Sequence, residues 1–176
     1  GYLKRLRESD FAAQLLQNNI TFTWAPATLF SDDPAKGLGK ALPDNTVIAH
    51  ITPLMDSAQH ELLLVSPYFV PTASGVRALA QWRERGVAVR VMTNAYEATD
   101  VPLVHAGYAQ YRKALLQQGV ALYEMQRLAP AGKEQRARIN PLGSSGSSLH
   151  AKTFAVDGER AFVGSFNFDP RSALLN

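Results

Sequence analysis

Between residues 61 and 125 the chain alternates short apolar runs with stretches of helical period, and few folds accommodate that order. ELLLVSPYFVP (61–71) is an apolar run flanked by Pro67 and Pro71, the pattern of a short buried strand. SGVRALAQWRERG (74–86) follows, with Val76, Leu79, Ala80 and Trp82 on one helical face and Gly86 placed to terminate the helix. VAVRVMTN (87–94) reads as a second strand, residues 106–118 as a helix ending in Gly119, and VALYEM (120–125) as a third strand. Strand, helix, strand, helix, strand predicts an α/β fold, with a mixed β-sheet sandwiched between helices.

The flanks are less regular. Leu3, Leu6, Phe11, Leu15 and Leu16 recur near the helical period and predict an amphipathic helix over 3–19. ITFTWAP (20–26) alternates β-branched and aromatic side chains and predicts a short strand. Residues 31–44 read as a loop from their Gly, Pro and Asp content, and 46–60 as a helix. Residues 129–148, rich in Gly, Ser and charge without an apolar period, read as a flexible surface loop. Its Lys133, Arg136 and Arg138 are open to two readings, a solvated face or a basic flap near an anionic substrate or membrane surface.

Composition narrows the function classes. A chain of 176 residues, 46% hydrophobic, is long enough for one domain with its own core. The absence of Cys excludes disulfides, thiolate nucleophiles and Cys-based zinc sites. A net charge of +3, from 18 basic and 15 acidic residues, is too mild for a dedicated nucleic-acid binder. The longest apolar stretch, 62–70, falls far short of the ~20 residues that span a bilayer. No signal peptide is visible, and both ends read as cut ends.

Chemistry concentrates in LHAKTFAVDGERAFVGSFN (149–167). LHAKTFAV alternates, and Asp157-Gly158 between two such runs predicts a hairpin. The two-residue period of a strand would put His150 and Lys152 on one face, and Ser165 and Asn167 on one face of the return strand, with Gly164 allowing close approach. Four polar groups could then converge on one anion. Asp157, at the turn, is expected to bond local backbone amides. Ser165 is open to bonding either a phosphate oxygen or the returning strand. His50 and His60 read as structural. His150 has no second His or carboxylate at ligand spacing, so no metal or other cofactor is expected.

His150, Lys152, Asp157, Gly164, Ser165 and Asn167 match the HxKxxxxDxxxxxxGSxN signature, by which the chain resembles the phospholipase D superfamily. SPYFVP (66–71), HAGYAQYRKALLQQGVALYE (105–124) and FDPRSALLN (168–176) resemble its bacterial cardiolipin synthase branch. The resemblance implies phosphodiester chemistry in which one motif His attacks phosphorus, giving a phosphohistidine, and a second motif His protonates the leaving alcohol. An imidazole with a pKa of ~6.5 serves either task near neutrality. Which task belongs to His150 the sequence leaves open. The resemblance further implies that Lys152 and Asn167 hold the nonbridging oxygens, and it raises Tyr68, His105 and Tyr108 as substrate-lining residues.

Superfamily enzymes build one site from two signatures, and this sequence holds a single HxK pair. The expectation is therefore a connector helix over 1–22 from an N-terminal half bearing the second motif, followed by a partial C-terminal catalytic domain over 23–176. The acidic residue that orients the imidazole in relatives would follow beyond Asn176, and the isolated piece would be inactive. The implied activity is a phosphatidyltransferase forming cardiolipin from phosphatidylglycerol and a second phospholipid, peripheral to the cytoplasmic face of a bacterial inner membrane. The alternatives are a lipid- or nucleic-acid-directed phosphodiesterase and a non-catalytic phosphate-binding module; nucleic acid is disfavoured by the weak net charge.

Overall fold

The computed structural model describes residues 10–17, 19–126 and 148–175. Its elements in chain order are α1 (Asp10–Leu16), α2 (Val47–Asp56), β1 (Glu61–Val65), α3 (Thr72–Glu84), β2 (Ala88–Asn94), α4 (Pro102–Gln117), β3 (Ala121–Met125), β4 (Thr153–Val156), β5 (Arg160–Val163) and α5 (Pro170–Leu174). The strands form one sheet in the order β3-β2-β1-β4-β5. The first three are parallel, while β4 runs antiparallel to β1 and β5 antiparallel to β4. A five-stranded mixed sheet flanked by helices results, the α/β class the sequence predicts.

Each boundary in the repeat has a local cause. Gly86 and Gly119 follow α3 and α4 at φ 87° and 77°, the left-handed conformation that stops a helix and turns the chain into the next strand. The Arg85 guanidinium donates to the carbonyls of Asp56 and Ala58, and the Trp82 indole N–H to the Asp56 carboxylate. These bonds tie the end of α3 to the end of α2 and satisfy carbonyls there.

Register places Leu62, Leu64, Val89, Val91, Phe154 and Val156 on one sheet face, where all are buried with Ile51, Met55, Leu79, Trp82 and Leu115. Each such side chain contributes roughly 1.5–3 kcal/mol, so this layer dominates the energetics. The Arg90–Glu61 ion pair on the opposite face is half in solvent and belongs to a class worth about 0–1 kcal/mol. That opposite face is far more open: Arg90, Met92, Tyr123 and Val163 are exposed, Val163 to 81%.

Three expectations are corrected. ITFTWAP forms no strand: 19–33 have no regular secondary structure, and Trp24 is 90% exposed, touching Phe22 at 6.2 Å between ring centroids. An alternating run becomes a strand only against a partner ladder, and none is offered to it among the described residues. The loop over 31–44 contains 3-10 turns at Pro34–Leu38 and Pro43–Asn45. The motif strand begins at Thr153, four residues later than its alternation suggests. Of the helix expected over 3–19, residues 10–16 are helical and 3–9 lie outside the described residues, as do 129–147 of the expected loop with Lys133, Arg136 and Arg138.

Candidate active site

The motif hairpin is held at its turn. Asp157 and Gly158 have φ 55° and 69°, and the Glu159 N–H donates to the Val156 carbonyl at 3.0 Å. Two successive positive φ values suit Asp-Gly, whose short side chains tolerate that region. The Asp157 carboxylate does not bond local amides as expected. It accepts from the backbone N–H groups of Gln59, His60 and Glu61 at 2.9, 2.8 and 2.8 Å, nearly a hundred positions away. Those bonds stabilise the charged form and hold the carboxyl below the usual aspartate range. Asp157 thus latches the hairpin to the start of β1.

The other end of the motif is held differently. Residues 148–152 precede β4, so the strand periodicity that would align His150 and Lys152 does not extend to them. Instead the Asn94 side chain, at the C-terminal end of β2, accepts from Leu149 N–H at 2.9 Å and donates to its carbonyl at 3.1 Å. Gly164 N–H donates to the Lys152 carbonyl at 3.1 Å, fixing one motif segment against the other. The Lys152 ammonium donates to the His150 carbonyl at 3.0 Å and lies 5.9 Å from the centre of the Tyr68 ring. Burial lowers the Lys152 pKa, and the negative charge of Asp100 opposes that shift. His150 is exposed.

Ser66, just past β1, positions the GSFNFD segment. Its buried hydroxyl donates to the Tyr68 carbonyl at 2.8 Å and accepts from Phe168 N–H at 3.3 Å. Val70 N–H donates to the Phe168 carbonyl at 2.7 Å. Ser165 is exposed, Phe166 is buried, and the amide oxygen of Asn167 is buried with no hydrogen-bond partner among the described residues. Such an unpaired acceptor costs about 1–3 kcal/mol. Gly164 has a local reason: a Cβ there would come within 2.6 Å of the Phe162 ring, which stacks on Phe154 at 5.1 Å. Ser165 and Asn167 line an open groove of about 1090 Å³ with Phe30, Asp32 and His50. His50 stacks on Phe30 at 4.5 Å.

The remaining candidates fall into two groups. Tyr68 is half-buried and donates its hydroxyl to Asp100 at 2.7 Å; burial first, then Asp100, pushes its pKa up to about 12. Tyr108 is 1% exposed, packed in the core against Phe69 with its hydroxyl on Glu124 at 3.0 Å. His105 packs edge-on against Tyr96 and Tyr108, and its Nε2 lies 3.3 Å from the Arg112 guanidinium, which also pairs with Glu124 at 2.7 Å. Lys152 therefore meets Tyr68, while His105 and Tyr108 belong to a separate cluster on α4.

Sequence reasoning missed Asn94, Asp100 and Lys36. Lys36 is 4% exposed, its ammonium 3.0 Å from Asp32, bonded to the Ser172 carbonyl at 2.7 Å and 5.9 Å from the Phe166 ring centre. It pins the 31–45 segment to α5 beside the GSFN residues. Nothing in the local sequence around these three residues marks them, because each acts on a segment remote in the chain. Among the described residues no group of three or more His, Asp or Glu is placed to hold a metal ion.

A parallel α/β unit joined to an antiparallel hairpin, with His150 and Lys152 just before its first strand, Asp157 at its turn and GSFN just after its second, is the arrangement of a phospholipase D-like fold. Consistent with this, the chain superposes on a phospholipase D family member, Nuc from Salmonella typhimurium, with TM-score 0.53 and 18% identity, over 76% of this chain and 72% of that one. Residues 51–176 match the family described as cardiolipin synthase, PLD-like domain, and the chain belongs to that family. It is 45% identical to cardiolipin synthase C of Escherichia coli, over 99% of this chain and 37% of that protein. It is 26% identical to cardiolipin synthase A of Yersinia pseudotuberculosis, over 78% of this chain and 24% of that protein. The chain thus spans well under half the length of these curated relatives.

Proposed function

We propose that this chain supplies one motif of a phosphatidyltransferase that forms cardiolipin from phosphatidylglycerol and a second phospholipid. The observation that carries the reading is the intact signature within a domain of the cardiolipin synthase family, with His150 exposed two residues before Lys152, whose carbonyl is held by Gly164 N–H. One motif imidazole attacks the phosphorus of the donor lipid; an N–P bond forms and the bond to the leaving alcohol breaks. A second motif His, on another part of the protein, gives that alcohol its proton. The acceptor hydroxyl then returns a proton to this acid as its oxygen attacks phosphorus and the N–P bond breaks. Lys152 and the Asn167 amide hold the nonbridging oxygens and offset the developing charge.

On this reading the partners are phospholipids, a membrane surface and the region bearing the second motif. No helix among the described residues is long and apolar enough to cross a membrane. Peripheral attachment at the cytoplasmic face of a bacterial inner membrane is the arrangement we propose. The test is the product profile of the protein at its full coded length, with and without His150→Ala, on labelled phosphatidylglycerol and phosphatidylethanolamine in mixed micelles. Cardiolipin formation is expected to fall by at least about 10³-fold in the variant. Phosphatidic acid as sole product would make the enzyme a hydrolase, and turnover of nucleic acid alone would overturn the lipid reading.

A further inference from the structure

A lysine side chain has four rotatable bonds, and a cation that must meet a phosphate oxygen has to be held in one of its many rotamers. The backbone of Lys152 is fixed by Gly164, but among the described residues its ammonium donates one hydrogen bond, to the neighbouring His150 carbonyl. One further group meets it from another part of the chain. The Tyr68 ring, from the segment after β1, presents its face 5.9 Å from the ammonium. The orientation of that ring is set by the bond from its hydroxyl to Asp100, in the loop between β2 and α4, at 2.7 Å.

We propose that Tyr68 and Asp100 form a positioning pair that fixes the Lys152 ammonium beside His150. The inference rests on the role given to Lys152 above, and it assigns Tyr68 a task other than lining substrate. The order of action is Asp100 to Tyr68 to Lys152: a carboxylate orients a phenol, and the phenol ring carries the cation. Asp100 acts a second way, because its negative charge favours the ammonium that burial disfavours. The titratable groups placed against this ammonium among the described residues are Tyr68 and Asp100, with His150 on its own segment. Asp100 is exposed, so replacing it leaves the core untouched.

The experiment compares Tyr68→Phe, Asp100→Asn, their combination and Asp100→Glu in the protein at its full coded length, with Lys152→Met as control, on phosphatidylglycerol micelles. Tyr68→Phe and Asp100→Asn are each expected to lower kcat about tenfold with KM within about twofold, and their combination to lose no more than the larger single loss. Asp100→Asn should also move the alkaline limb of the rate profile to lower pH, because the ammonium loses its supporting charge, and Asp100→Glu should restore it. Additive losses, or single variants with wild-type kcat and an unmoved alkaline limb, would overturn the pair. If Lys152→Met retained cardiolipin formation, the role of Lys152 itself would fall. A dead Lys152→Met with wild-type Tyr68 and Asp100 variants would sink the positioning inference alone.

Discussion

The two ends of the signature are built to opposite rules. At the Asp157 end one carboxylate meets three backbone N–H groups and its charge is fully used. At the other end His150 and Ser165 face solvent and the Asn167 amide oxygen is buried without a partner among the described residues. A single run of sequence thus divides into a fastener and an open edge. Satisfied polar groups specify structure, whereas an unsatisfied buried polar group is a stability cost.

The contrast is sharpest where function and stability are measured on the same variants. Asn167→Ala removes a group from the open edge, and cardiolipin formation should fall about 10²–10³-fold while the thermal midpoint holds or rises, since an unpaired buried acceptor goes with it. A large fall in the midpoint would place Asn167 with the fastener. Asp157→Asn should do the reverse. It keeps an acceptor for two of the three amides and tolerates the positive φ, so near neutral pH the midpoint should drop by several degrees while activity per folded molecule is kept.

That difference carries a pH signature. Because the Asp157 pKa is depressed in the folded protein, its stabilisation is complete above the ordinary aspartate pKa and is lost as pH falls through the folded value. Unfolding midpoints of wild type and Asp157→Asn should therefore converge in acid, and a constant gap would show that the charge contributes nothing. The smallest expected effect is that of Gly164→Ala, about 1 kcal/mol of stability, because the new Cβ pushes on the edge of the half-buried Phe162 ring, which can shift on an otherwise exposed edge strand. Denaturant titration resolves it.

What the sequence disclosed follows the range of the interactions involved. The parallel unit was legible because its signals are local: apolar period, Gly86 and Gly119 past the helices, prolines around the first strand. The hairpin was legible from Asp157-Gly158 for the same reason. ITFTWAP misled because alternation reports a willingness to pair and not the presence of a partner, and Trp24 remains in solvent. The site residues were picked by spacing, but their supports were not: Asn94 reaches Leu149, Asp157 reaches Gln59, and Asp100 reaches Tyr68 across 55, 98 and 32 positions. No local pattern encodes such a pairing.

The long reach of Asp157 also orders events in time. β4 must find β1 across the two crossover helices and two further parallel strands that separate them in the chain, and contacts of such separation incur their loop-closure entropy before any of their bonds form. The parallel unit pairs segments close in the chain, whereas the motif strand pairs with β1 from far along it. A polypeptide still emerging therefore carries the signature before its hairpin is latched to the sheet.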